Sequence, residues 1–198
     1  MIPRPIKHLV DLLTTLPSIG PRQATRLAFH ISNLGQAKAV EFANAMTGLA
    51  KIRPCVECFF IHEENAELCK ICSDASRKKD LIAIVEKETD LISLERPKKF
   101  TGRYLVLGEL RRGAVLNEIQ KMKLQHLKIT LAKTGCPAEE ILIATNPTTY
   151  GDLAATVIEE HLKDSAKKIT RLGRGIPTGG EIEFADEETL GKALDNRG

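Results

Sequence analysis

Five cysteines occur in 198 residues, and four of them form two CxxC pairs, Cys55-Val56-Glu57-Cys58 and Cys69-Lys70-Ile71-Cys72, separated by ten residues. Sulfur at this spacing can staple a secreted fold, run a redox cycle or cage a metal. The opening residues, MIPRPIKHLVDLL, are broken by charges and lack the apolar run of a leader or a membrane span. A cytoplasmic protein with no membrane partner is therefore expected, and in a reducing compartment disulfides do not persist. Redox catalysis normally needs one pair ahead of a helix in a βαβ unit, and that setting is absent here. Each CxxC turn aims both sulfurs at a common centre, so Cys55, Cys58, Cys69 and Cys72 are predicted to hold one tetrahedral Zn²⁺. Four protein ligands leave no open position, so the metal is expected to be structural. Cys136, before Pro137, reads as a bystander, and His62 as a solvated loop histidine.

Two further groups of residues carry chemistry. In LPSIGPRQATRLAFH (16–30) a tight turn at Ser18-Ile19-Gly20-Pro21 interrupts one helix, and another starts at Pro21, a favoured first residue. The stretch resembles a helix-hairpin-helix motif, in which amides of the hairpin and the following helix N-terminus meet a DNA phosphate whatever the base. Arg22 and Arg26 lie one turn apart on one face and would add charge to that contact. A plain αα-hairpin with solvated arginines is the alternative. The second group follows LIAIV: Glu86 ends that run, with Glu88 and Asp90 just beyond, where α/β proteins bind ligands. In Toprim domains a glutamate so placed works with an aspartate pair on a later strand to hold Mg²⁺. Here the later segment, ILIATNPTTYGDLAA, offers Asp152 alone. A single carboxylate opposite Glu86 holds Mg²⁺ weakly, which lowers the case for an enzyme.

These residues need elements to hold them. Apolar positions at helical spacing predict helices over residues 6–52, the second from Pro21 and the third from about Gln36 to Lys51. Residues 53–79 are polar and strand-poor. From Leu81 the short runs LIAIV, RYLVLG, LKITLA, EILIA and KKITRL read as strands, with helices near 90–96, 114–122 and 152–162 between them. Such alternation implies a mainly parallel, buried sheet with flanking helices, an α/β fold class. The tail, GRGIPTGGEIEFADEETLGKAL, predicts a glycine-rich turn, a short alternating strand and a capped helix whose Leu190 and Leu194 dock on a neighbouring domain. Residues 1–53 carry seven Lys/Arg against two Asp/Glu, so the basic surplus of a chain with net charge +3 sits at its N-terminal end. From charge alone, a solvated face explains that surplus better than a polyanionic partner does.

In order along the chain, the hairpin at 16–30, CVEC and CKIC, IAIVE (82–86), GRYLVLG (102–108), ILIATNPTTYGD (141–152) and TRLGRGIPTGGEIEFADEETLGKAL (170–194) closely resemble the RecR family of bacterial recombination mediators. The resemblance covers essentially the whole chain. It departs at Ser18, a glycine in the family pattern, at Leu105 and Glu109, and at Tyr150-Gly151-Asp152, where Glu-Gly-Glu is usual. The resemblance implies four parts: a helix-hairpin-helix region (1–52), a four-cysteine zinc finger (53–79), a Toprim domain (80–172) and an oligomerising C-terminal turn, strand and helix (173–198). It also implies a non-catalytic protein that binds single-stranded and duplex DNA without sequence preference through Gly20, Arg22 and Arg26. With RecO, and in many bacteria RecF, such proteins load RecA onto SSB-coated single strands at gaps. They act as dimers or ring tetramers. Glu86, Glu88 and Asp152 are assigned to partner binding on the same ground. A Mg²⁺-dependent Toprim enzyme using Glu86 and Asp152, or a zinc-dependent adaptor that binds only protein, would be the rivals.

Overall fold

The computed structural model describes residues 2–63, 65–110, 116–133, 135–195 and 197. It divides into two units, one ending at Ile52 and the other beginning at Arg53. The first holds three helices, α1 (Arg4–Leu13), α2 (Pro21–Asn33) and α3 (Gln36–Leu49). Ala24 and Ala28, one turn apart and wholly buried, give α2 a flat seat that lets α1 pack closely. α3 buries no residue completely and leaves Val40, Phe42, Met46 and Leu49 about half exposed.

The second unit opens with a two-residue antiparallel pair, β1 (Arg53–Pro54) and β2 (Ile61–His62), and a single helical turn, α4 (Lys70–Ser73). Strands and helices then alternate: β3 (Leu81–Val85), α5 (Glu88–Glu95), β4 (Arg103–Val106), α6 (Glu118–Lys133), β5 (Glu140–Ala144), α7 (Thr149–Leu162) and β6 (Ile169–Arg171). The four strands β3 to β6 form one parallel sheet in the order β4-β3-β5-β6. Successive side chains alternate between two cores. Ile82, Ile84, Leu105, Ile141 and Ile143 meet Leu124, Leu127 and Leu131 of α6 and Ile158 and Leu162 of α7. Ala83, Val85, Tyr104 and Val106 pack with Leu91 of α5. Burial on both faces explains the uninterrupted apolar runs that mark these strands in the sequence.

The run LKITLA (127–132), expected as a strand, lies inside α6. Leu124, Leu127 and Leu131 recur at helical spacing and are buried, whereas Ile129 is 47% exposed. β-branched Ile129 and Thr130 mimic a strand, and a short apolar run alone does not separate the two states. The expected start of that helix at Ala114 lies outside the described residues. The segment EIEF (181–184), expected as a strand, forms a 3₁₀ turn at Ile182–Phe184, with Phe184 N–H donating to the Glu181 carbonyl at 3.2 Å. Its alternation had no sheet face to fill: Ile182 and Phe184 are 68% and 79% exposed. The chain ends in α8 (Glu187–Asp195), capped by Asp186, which accepts the Thr189 N–H at 2.8 Å. α8 buries no residue, and Leu194, expected to dock, is exposed.

Candidate functional site

The four paired cysteines come together. Cys55, Cys58, Cys69 and Cys72 are each at most 2% exposed, and their sulfurs all lie within 4.8 Å of one another. A tetrahedral metal with bonds of about 2.3 Å places its sulfurs about 3.8 Å apart, and the Cys58 and Cys69 sulfurs are 3.5 Å apart. The backbone prepares the same centre. Cys55 N–H donates to the Phe60 carbonyl at 2.8 Å and Phe59 N–H returns to the Cys55 carbonyl at 3.0 Å, closing the first CxxC knuckle, while Cys69 N–H points at the Cys55 sulfur at 3.4 Å. Donation from Cys58, and then from Cys69 and Cys72, holds the Cys55 thiol far below its ordinary range, whereas contacts with Cys55, Cys58 and Cys69 hold Cys72 far above it. Without a cation the cluster cannot ionise fully, so its donor set fits a thiolate-bound metal. Cys136 is exposed and apart from the group. His62 is not the solvated loop residue expected: it lies in β2 and is buried, outside the ligand set.

The cysteine module is fixed to the sheet. Val106, on edge strand β4, donates its N–H to the Cys58 carbonyl at 2.8 Å, and Arg103 pairs with Glu57 at 2.7 Å. Phe59, at φ 61°, sends its ring into the α6 face of the core, edge-on to His126 at 5.5 Å and under the Lys123 ammonium at 5.0 Å. A bulky residue in the left-handed region is rare and persists only where packing over-determines it. The module thereby covers the open side of β4, which would otherwise present unpaired strand groups.

In the helical unit, the hairpin has a free face. Gly20 caps α2 with φ −82°, and a Cβ built on it would meet nothing within 4 Å. Neither backbone nor intramolecular space demands glycine there. A group approaching from outside would demand it. Pro21 occupies the first turn, where its missing N–H costs nothing. Arg22 and Arg26 are exposed, line one shallow depression with Gln23, Leu27 and His30, and have no carboxylate partner among the described residues. Ser18, at φ 65°, takes the strained position of the turn.

The third group lies at the carboxyl end of the sheet. The chain leaves β3 toward β4 and leaves β5 in the opposite direction toward β6, so β3 and β5 flank the topological switch point. Glu86 stands there, 5% exposed, and one of its oxygens accepts the Asn146 N–H at 2.7 Å. A side chain at Gly151 would strike the Asn146 carbonyl, so glycine is what lets α7 begin so close to this loop. Glu88, in the first turn of α5, favours the charged form of Lys123, whose ammonium is mainly depressed by burial and donates to the Val106 carbonyl at 2.9 Å. Asp152 pairs with Arg174 and, at 3.4 Å, with Arg171; Arg174 also holds Glu188 of α8 at 2.6 Å. The three acidic residues thus have separate partners, and among the described residues only the four cysteines converge as a metal-ligand group. Arg171, Arg174, Asn146 and Gln120 were not singled out in the sequence. Gln120 had a readable signal, an Asn-x-x-Gln capping box in which Asn117 and Gln120 exchange two 2.9 Å bonds. Its buried amide then holds the carbonyls of Gly108 and Glu109.

Comparison with known proteins bears on the helical unit, the sheet and the tail. The family model "RecR, helix-hairpin-helix" matches residues 6–49, "Toprim domain" matches 80–173 and "RecR, C-terminal" matches 175–197. A recombination protein RecR of Anaeromyxobacter is 40% identical over 196 residues, spanning 98% of this chain and 96% of its own length. One of Clostridium perfringens is 37% identical over 198 residues, spanning 98% and 96%. One of Thermus thermophilus is 38% identical over 196 residues, spanning 98% and 97%.

Proposed function

The chain belongs to the RecR family of recombination proteins, and from that premise we propose that it is a non-catalytic DNA-binding mediator that helps load RecA onto SSB-coated single strands at gaps, together with RecO and, where present, RecF. The work divides among the parts 1–52, 53–79, 80–172 and 173–198. The observation that carries the reading is the hairpin face: an exposed Gly20 with open space around it, at the start of a helix, beside two arginines that have no carboxylate partner among the described residues. Gly20 and the neighbouring amides position a phosphate, and Arg22 and Arg26 neutralise it, on single-stranded and duplex DNA alike. Zn²⁺ is the metal that suits four buried thiolates, and its task is structural, since no coordination position remains for substrate. A non-catalytic role is supported by the state of the carboxylates. Asp152 is committed to Arg174 and Arg171, and Glu86 to a backbone amide. Glu86, Glu88 and Asp152 instead mark the face offered to a protein partner. The uncovered apolar residues Val40, Phe42, Met46 and Leu49 on α3, and Ile182 and Phe184 in the tail, favour a homo-oligomer, a dimer or ring tetramer, acting in the cytoplasm.

The test is a gapped duplex with Mg²⁺, run on a native gel across a salt series and on a denaturing gel. Retarded but intact DNA supports the mediator, cut or joined strands would make the protein an enzyme, and no retardation would leave a protein-only adaptor. Replacing Arg22 and Arg26 by alanine should weaken binding alike on all sequences and flatten the logarithmic salt slope by about two. An unchanged slope would defeat the assignment.

A further inference from the structure

We propose that the amino ends of β3 and β4 form a second phosphate-binding surface, made by Lys78, Lys79, Lys98 and Lys99, that grips a nucleic-acid backbone. The proposal rests on the reading that the chain binds DNA, and it places a contact at the end of the sheet opposite Glu86. The parallel pairing of β3 with β4, with Ile82 beside Arg103, extends backward into the two loops that feed these strands. Lys78 N–H donates to the Thr101 carbonyl at 3.0 Å, and Arg77 reaches the Gly102 carbonyl at 2.9 Å. These two bonds hold the loop carrying Lys78 and Lys79 against the loop that runs on from Lys98 and Lys99. All four are exposed.

Nothing in the fold explains their gathering. Residues 74–80 and 95–101 together carry six basic side chains against three carboxylates. Two of the carboxylates, Asp74 and Glu95, are taken by Arg77, which leaves Asp80 as the one remaining carboxylate beside five basic side chains. Among the described residues the four lysines have no ion pair, and like charges on adjacent loops repel. The carbonyl end of α5 can reward one nearby cation, not four. A polyanion relieves all of them at once by counterion release. The apolar content favours nucleic acid over a protein partner. A shallow depression between the two loops is lined by Arg77, Glu95, Lys98 and Phe100; Phe100 is half-buried against Tyr104 at 5.0 Å, so among the described residues the surface offers no free aromatic anchor of the kind that dominates protein interfaces. For the same reason it would not stack a base and would read no sequence.

The experiment is a fluorescence-anisotropy titration of a labelled duplex with the metal-loaded full chain across a salt series, comparing wild type, R22A/R26A and K78Q/K79Q/K98Q/K99Q. The lysine variant should lower the salt slope by about two to four and weaken binding at least tenfold at about 0.1 M salt. Acetylation of wild-type lysines with and without DNA, read by mass spectrometry, gives a second measurement free of substitutions: the four lysines should be protected by DNA. If wild type and R22A/R26A behave as a DNA-binding hairpin requires while the lysine variant keeps the wild-type slope, or if DNA leaves the lysines unprotected, the second surface is wrong and the first stands. If wild type fails to bind DNA, both are wrong.

Discussion

With Zn²⁺ on the four cysteines as proposed, its removal should unfold one face of the sheet edge and spare its centre. The segment 53–73 is too short to build its own core, and apart from the cysteines its packing rests on a few partly buried residues, Phe59 against the α6 face and Phe60, Leu68 and Ile71 around the sulfurs. Its folding free energy is therefore essentially the metal's binding free energy, of order 10–16 kcal/mol for a four-ligand site at neutral pH. Without the metal the module opens at the cost of the Phe59 contacts and the Arg103–Glu57 pair alone, a few kcal/mol. The amide of Val106 reports this directly, because its acceptor is the carbonyl of Cys58. With the module closed, exchange at Val106 requires opening against a domain stability of about 5–15 kcal/mol. After chelation it requires only the fraying of an uncovered edge, so its protection should fall by at least about a thousandfold. Ile84, on β3, is flanked by β4 and β5 and should keep most of its protection. The measurement is hydrogen exchange by NMR on metal-loaded and chelator-treated protein. Equal retention at Val106 and Ile84 after verified metal loss would refute the reasoning, because the module would then be held by something other than the metal.

Three further perturbations follow from individual residues. Ser18→Gly relieves a left-handed residue and should stabilise the chain by about 1 kcal/mol against denaturant; no shift in midpoint would mean the turn is unstrained. Leu124→Ala, which empties a fully buried position on α6, should cost about 2–5 kcal/mol, while Ile129→Ala on the same helix should cost under about 1 kcal/mol; equal losses would undo the orientation of α6. The Asp186 carboxyl is held below its reference pKa of 3.8 by the Thr189 amide and hydroxyl. A depressed carboxyl lends its stability above the reference value and loses it as pH falls through the folded-state value. α8 should therefore fray below about pH 4, visible as loss of helical carbon shifts at 187–195, and Asp186→Asn should abolish that dependence while keeping the helix.

What could be read in the sequence was what local chemistry dictates. The cysteine spacing announced a ligand cluster because a CxxC turn is self-contained, and Pro21 marked the start of α2 because its ring fixes the backbone. The runs ending in Glu86 and Ala144 were legible as strands because both faces are buried. LKITLA was misread because six residues of apolar sequence do not contain their own period; the leucines that settle it begin at Leu124, outside the run. EIEF had the alternation of a strand but no neighbour to pair with, and strand pairing is a property of the partner as much as of the segment. His62 looked solvated because polar loop residues usually are, yet a two-residue strand buried it. Arg171 and Arg174 were invisible as partners of Asp152, since only the parallel placement of β6 beside β5 brings them near it.

The strand order has a consequence for how the chain reaches this state. β3, in the middle of the sheet, meets β4 soon after synthesis, but its other neighbour, β5, is made only after all of α6. At about 5–20 residues per second the interval from Val106 to Ala144 is roughly 2–8 s, during which one side of the most apolar strand, LIAIV, has no partner. Helix α6 is complete before β5 emerges and packs on the same face through Leu124, Leu127 and Leu131. During that interval α6 can shelter the face of β3 but not its hydrogen-bonding edge. Slow translation between residues 106 and 144 would lengthen the exposure, so aggregation of newly made chains should respond to changes in codon speed there more than to changes downstream of β5.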